Sequence, residues 1–103
     1  MAKIKSVTVS FPASDSPDVV GYKLYIEEAP TAVSYDSLSF DLGNNTSVDL
    51  STLEGMAAKK GVFNLGVSAV DSTGNESDMS LSDNVPLGFV APNPPGVIVI
   101  TRS

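Results

Sequence analysis

The sequence lacks cysteine, histidine and tryptophan altogether in its 103 residues. Without cysteine there is no disulfide, and without cysteine or histidine there is no thiolate zinc site, cysteine nucleophile or histidine-based triad. Cations are scarce too: 6 Lys and Arg stand against 12 Asp and Glu, for a net charge of −6. Because phosphate contacts need clustered Lys and Arg, this balance argues against a nucleic-acid partner.

Long apolar runs are also missing. No segment reaches the roughly 18 consecutive apolar residues that would span a membrane. Lys3 and Lys5 near the start are not followed by the apolar stretch of a secretory signal peptide. We therefore expect no membrane association, and a cytoplasmic or virion-associated location, or an extracellular one for a fragment of a larger protein.

Short segments of alternating apolar and polar residues dominate the chain, which is the period of a half-buried β-strand. The alternating apolar sets are Val7, Val9 and Phe11; Val20, Tyr22, Leu24 and Ile26; Leu38, Phe40 and Leu42; Val48 and Leu50; Phe63, Leu65, Val67 and Ala69; and, less regularly, Met79, Leu81 and Val85. Segment 54–61 reads as a loop with one helical turn. The spacing predicts an all-β antiparallel sandwich of about seven strands.

The ordered set of segments resembles a fibronectin type III domain of the bacterial or phage type. Segment 6–11 resembles strand B, 18–25 strand C, 42–50 the C′ to E region, and 63–77 strand F with the F–G loop. The resemblance implies an immunoglobulin-like sandwich that acts as a non-catalytic interaction, spacer or adhesion unit. Phe63 stands where the family has its corner tyrosine, and strand A is missing before Lys3.

The missing strand has a candidate at the other end of the chain. We expect a sandwich over residues 1–87 and, over 88–103, a proline-rich linker that ends in a strand. That strand is Val97, Ile98, Val99 and Ile100, apolar on both faces. Exposed strands of this kind aggregate unless they are paired. The predicted docking edge carries Ile4, Val7 and Val9.

Three destinations for this segment remain open from the sequence. It fills the strand-A position of its own domain across a taut linker, or that of a neighbouring copy by strand exchange. Alternatively, it is the trimmed start of a following repeat. The leading prediction is an assembly module that forms homo-oligomers through the C-terminal strand. The alternatives are a spacer or adhesion repeat of a cell-surface or secreted protein, and a small phage decoration protein.

The sequence gives little indication of metal binding or catalysis. The loop with Asp71, Asn75, Glu76 and Asp78 lacks the ligand spacing of a calcium site, and no paired carboxylates or serine–base pair suggest catalysis. We predict no enzyme, metal or cofactor. Tyr25 and Tyr35 are the candidates for an exposed aromatic contact with a protein or, without further support in the sequence, a carbohydrate.

Overall fold

The computed structural model describes residues 3–102, and the regular structure in this range consists of β-strands and short 3₁₀ turns. The strands are β1 (Thr8–Ser10), β2 (Val19–Glu28), β3 (Leu38–Gly43), β4 (Ser47–Asp49), β5 (Lys60–Asp71) and β6 (Ser80–Gly88). β1 pairs with β4, and the larger sheet has the order β3-β2-β5-β6. Every pairing is antiparallel. The predicted all-β class is confirmed, with two sheets that are consistent with a β-sandwich.

The core lies between the two sheets. β2 contributes Tyr22, Leu24 and Ile26, and β5 contributes Phe63 and Leu65, all of them buried. These are inward positions that the alternation predicted. The side chains that pack on this cluster from the smaller sheet are Val7, Val9, Phe11 and Val48.

Two residues predicted to face the core are instead half exposed. Val20 is 52% exposed because the register of β2 against β5 shifts between Val19 and Gly21. A bulge of this kind changes which side chains face inward, and Val19 packs against the core instead. Leu38 is 48% exposed at the start of β3, an edge strand with no neighbour on its outer side.

The connection between β4 and β5 closes one end of the core. It contains two 3₁₀ turns, Leu50–Thr52 and Met56–Ala58. The second of these is the single helical turn predicted for 54–61. Leu50 and Met56 are completely buried. Leu50 belongs to the alternating set with Val48, whereas Met56 is an apolar core side chain that the alternating pattern did not assign.

β6 forms the other edge of the larger sheet, and its ladder with β5 is interrupted. The register shifts between Phe63 and Leu65, and Asn84 adopts a positive φ of 57°. The N–H of Asn84 donates to Oδ1 of Asn64 at 2.9 Å instead of joining the ladder. Pro86 has no N–H to donate. A bulge and a proline both make an edge a poor template for another strand.

The C-terminal segment leaves the sandwich after Phe89, whose N–H donates to the carbonyl of Lys59 at 3.3 Å. β6 runs to Gly88 and Phe89 is buried in the core, so the packed body extends slightly past the boundary predicted at residue 87. Residues 90–102 form no strand. The chain measures 74 × 26 × 20 Å, as expected for a compact body with a projecting arm.

Candidate docking site

An apolar groove separates β1 from the β5–β6 side of the larger sheet. Its volume is about 370 Å³. The lining comes from β1 and its flanking residues, from the middle of β5 and from β6: Val7, Thr8, Val9, Ser10, Phe11, Leu65, Gly66, Val67, Ser80, Leu81, Ser82 and Val85. The structure thus places the predicted edge residues Val7 and Val9 in its wall. Ile4, the third, lies before β1, outside this lining, and is 44% exposed.

β1 uses one of its two edges. The carbonyl of Val7 accepts from the N–H of Leu50 at 2.8 Å, and the N–H of Phe11 donates to the carbonyl of Thr46 at 2.9 Å. Backbone groups alternate in direction along an antiparallel strand, so the residues between these positions point the other way. The N–H and C=O groups of Thr8 and Ser10 therefore face the unpaired edge beside the groove.

Apart from the shortness of β1, which has 3 residues, this edge has neither the proline, the charge nor the bulge that usually protects a strand edge. Its residues Thr8, Val9 and Ser10 include no proline and no charge, and no register shift interrupts its short ladder with β4. By contrast, β6 has a bulge and Pro86. An edge without proline, charge or bulge leaves its N–H and C=O groups available to an additional strand.

The predicted docking strand is not on the groove of its own chain. Val97, Ile98, Val99 and Ile100 are 93%, 85%, 82% and 73% exposed, respectively. The structure of the single chain therefore shows an open groove and an unpaired apolar segment, and the route in which the segment fills its own domain is not the one adopted.

Tyr25 is not a surface residue, which corrects the sequence interpretation. It is 1% exposed although it lies on the outer face of β2. Its hydroxyl donates to Oε1 of Glu76, which also accepts from the Ser68 hydroxyl at 2.7 Å. The ring of Tyr35 packs edge-on against it at a centroid distance of 5.7 Å. A second, smaller cluster thus covers the outer face of the sheet.

These contacts favour a neutral Tyr25 phenol and an ionised Glu76 carboxylate. Burial, together with the hydrogen bond to the Glu76 carboxylate, raises the pKa of Tyr25 to about 12. The hydroxyls of Tyr25 and Ser68 hold the pKa of Glu76 below its usual value. Glu76 is therefore a carboxylate that ties the loop after β5 to β2, a role that the sequence did not suggest.

Tyr35 remains a candidate contact residue. It is 51% exposed, but its hydroxyl donates to the carbonyl of Ser77 at 2.7 Å. About half of the residue is therefore accessible while the hydroxyl is engaged within the chain.

The Asp71 loop is closed by its own hydrogen bonds. Oδ1 of Asp71 accepts from the N–H groups of Thr73 and Asn75, both at 2.9 Å. The hydrogen bond from the Thr73 hydroxyl, together with that from the Asn75 N–H, lowers the pKa of Asp71. Gly74 takes the positive φ of 88° that the turn requires. Across residues 3–102 no three acidic, histidine or cysteine side chains group as metal ligands.

The sequence interpretation assigned only one wall of the groove. The opposite wall includes Leu65 and Val67 of β5 and Val85 of β6. The sequence placed the first two in a core strand and Val85 in a less regular segment. The available indication was the missing strand itself, because a sandwich that lacks an edge strand uncovers the inner face beneath it.

Within residues 3–102 no helix is long and apolar enough to cross a membrane. Comparison of the chain with protein-family models, curated proteins and solved structures finds no match. The features of the molecule that bear on its function are therefore the groove, the open edge and the projecting arm.

Proposed function

We propose that this chain is a non-catalytic assembly module with a fibronectin type III-like sandwich, and that copies associate by exchanging the C-terminal segment. The observation that carries the proposal is the coexistence of an unpaired β1 edge over an apolar groove with four exposed apolar residues. The unpaired edge over the groove and the exposed apolar segment are each unfavourable on their own. Docking of the segment on the edge would pair the backbone groups of the edge and bury the apolar side chains.

The strand order supports the family resemblance. Under that resemblance β1 takes the place of strand B and β4 that of strand E, while β3-β2-β5-β6 takes the place of C′-C-F-G. Strand A would then lie beside β1, where the edge is open. The arm begins with the proline lead expected before such a strand, at Pro92, Pro94 and Pro95.

The energetics favour docking over exposure. Burial of a valine or isoleucine side chain contributes about 1.5–3 kcal/mol, and four such residues are almost fully exposed in the single chain. The backbone groups of Thr8 and Ser10 add ladder hydrogen bonds. Ordering of the arm and loss of translational freedom oppose this gain, so association should depend on protein concentration.

The test separates donor from acceptor while keeping the chain at full length. Ile98→Asp/Ile100→Asp disables the arm and leaves the groove intact. We expect this variant to be monomeric by size exclusion with light scattering and to bind a synthetic peptide of residues 91–102. The wild-type chain should form concentration-dependent oligomers.

A matched control adds two negative charges to the arm outside the docking segment. Val90→Asp/Asn93→Asp should assemble as the wild type does. A monomeric wild-type chain that also leaves the peptide unbound would overturn the proposal and favour a spacer repeat. Equal loss of assembly in both double variants would show that charge, and not docking, controls association.

A further inference from the structure

We infer that the exchanged segment runs antiparallel to β1 and that copies therefore join head to tail. The inference rests on the proposed exchange and adds its direction and symmetry. It follows from the ends of the sandwich at which the groove opens and the arm departs.

The C-terminal end of β1 lies at the pole where β6 begins. The N–H of Ser14, just after β1, donates to the hydroxyl of Tyr22 at 2.9 Å. Tyr22 pairs with Ala69, and the carbonyl of Ala69 accepts from the N–H of Ser77, shortly before β6. We call this end the Ser80 pole.

The N-terminal end of β1 lies at the opposite pole, where β6 ends. From Leu50, which bonds to Val7, a relay of backbone hydrogen bonds runs through Leu53, Met56 and Lys59 to Phe89. Lys60 is also paired with Gly88. We call this end the Gly88 pole, and the arm leaves the body here.

The reach of the arm disfavours an antiparallel docking onto its own body. β6 has 9 residues and spans about 26 Å from one pole to the other. Linker 90–96 extends to at most about 25 Å. To run antiparallel to β1 of its own body, the segment must enter from the Ser80 pole. The linker would have to span the whole distance between the poles when fully extended, with no residues left to form the turn.

Strand direction decides the symmetry of the assembly. A parallel donor enters the acceptor at the Gly88 pole, so two Gly88 poles meet and a reciprocal, closed dimer results. An antiparallel donor enters at the Ser80 pole, so the Gly88 pole of one copy meets the Ser80 pole of the next. These poles are at opposite ends of the body, so the contact is heterologous and repeats from one copy to the next.

Two observations favour the antiparallel direction. Parallel ladders are slightly less stable per residue than antiparallel ones, and every ladder in the described chain is antiparallel. The groove is also lined by the first part of β6, from Ser80 to Val85, and not by the last residues before the Gly88 pole. A donor that arrives at the Ser80 pole meets the groove directly.

Because the sequence has no cysteine, paired cysteine variants report the direction unambiguously. Ser10 is exposed near the Ser80 pole end of β1. Antiparallel docking brings Gly96 of another copy near it, whereas parallel docking brings Thr101, about 16 Å further along an extended strand. The two variants are Ser10→Cys/Gly96→Cys and Ser10→Cys/Thr101→Cys, each treated with a short bis-maleimide at a concentration where the chain assembles.

We expect the Gly96 variant to give a ladder of covalent dimers, trimers and longer species on a denaturing gel, at least tenfold more abundant than in the Thr101 variant. Predominant cross-linking of the Thr101 variant into dimers alone would overturn the antiparallel inference and leave exchange intact. Absence of cross-links in both variants would contradict exchange itself. A ladder that persists with Ile98→Asp/Ile100→Asp added would show collisional cross-linking and would also overturn the inference.

Discussion

Leu50 donates its backbone N–H to the carbonyl of Val7 at 2.8 Å, and this single bond fixes the direction of the backbone groups along β1. The N–H and C=O groups of Val7 and Val9 therefore face the β4 side, whereas those of Thr8 and Ser10 face the open edge. The proposed function depends on this arrangement, because a donor strand can pair only with Thr8 and Ser10.

Proline substitution distinguishes the two edges of β1. Ser10→Pro removes an N–H that faces the open edge, so we expect at least tenfold weaker binding of the 91–102 peptide to the Ile98→Asp/Ile100→Asp acceptor, with little change in melting temperature. Val9→Pro removes an N–H that faces β4 and should destabilise the fold by about 3 kcal/mol. Thermal melts and peptide titrations of both variants check this. Equal destabilisation by the two prolines would contradict the assigned directions.

The absence of a side chain at Gly66 leaves room for three apolar side chains that pack against β5. A Cβ at this position would lie 2.7 Å from the Met79 sulfur and 3.3 Å from side-chain atoms of Leu81 and Val33. We expect Gly66→Ala to lower the free energy of unfolding by about 1–3 kcal/mol, as overpacking does. Gly96→Ala is the control, because nothing lies within 4 Å of a Cβ there. Chemical denaturation of both variants measures the difference, and equal stability would show that Met79 moves aside freely.

Stability should fall at alkaline pH through Tyr25. The folded chain raises the pKa of this phenol from 10.0 to about 12, so between these values the unfolded state has lost a proton that the folded state retains. The free energy of unfolding therefore decreases as pH rises through this window. Tyr25→Phe should show a shallower decrease, while Tyr35→Phe should follow the wild type. Denaturation curves from pH 9 to 12 test this, and identical slopes for wild type and Tyr25→Phe would contradict it.

The alternating strands could be predicted from the sequence because their side chains report local geometry. Tyr22, Leu24 and Ile26 lie on the core face of β2 as the alternation indicates. Val20 does not, because a bulge depends on how β2 aligns with β5, a segment distant in sequence.

Tyr25 shows a second limit of local patterns. Its outward position was correctly assigned, but its burial depends on Tyr35 and Glu76, which belong to distant loops. The alternating pattern therefore predicted the strand but not the side chains of Tyr35 and Glu76 that bury Tyr25 on its outer face. The expected seventh strand is likewise absent from the single chain, because the C-terminal segment has no partner there.

The most direct test of the exchange is amide hydrogen exchange at β1, measured residue by residue on the full-length chain at assembling concentration and on Ile98→Asp/Ile100→Asp. The amides of Val9 and Phe11 should be protected in both, because Val9 pairs with Val48 of β4 and Phe11 bonds to the carbonyl of Thr46 just before that strand. Thr8 and Ser10 should be protected only in the wild type, where a donor strand covers the open edge. Equal, rapid exchange of Thr8 and Ser10 in both proteins would contradict the proposed strand exchange.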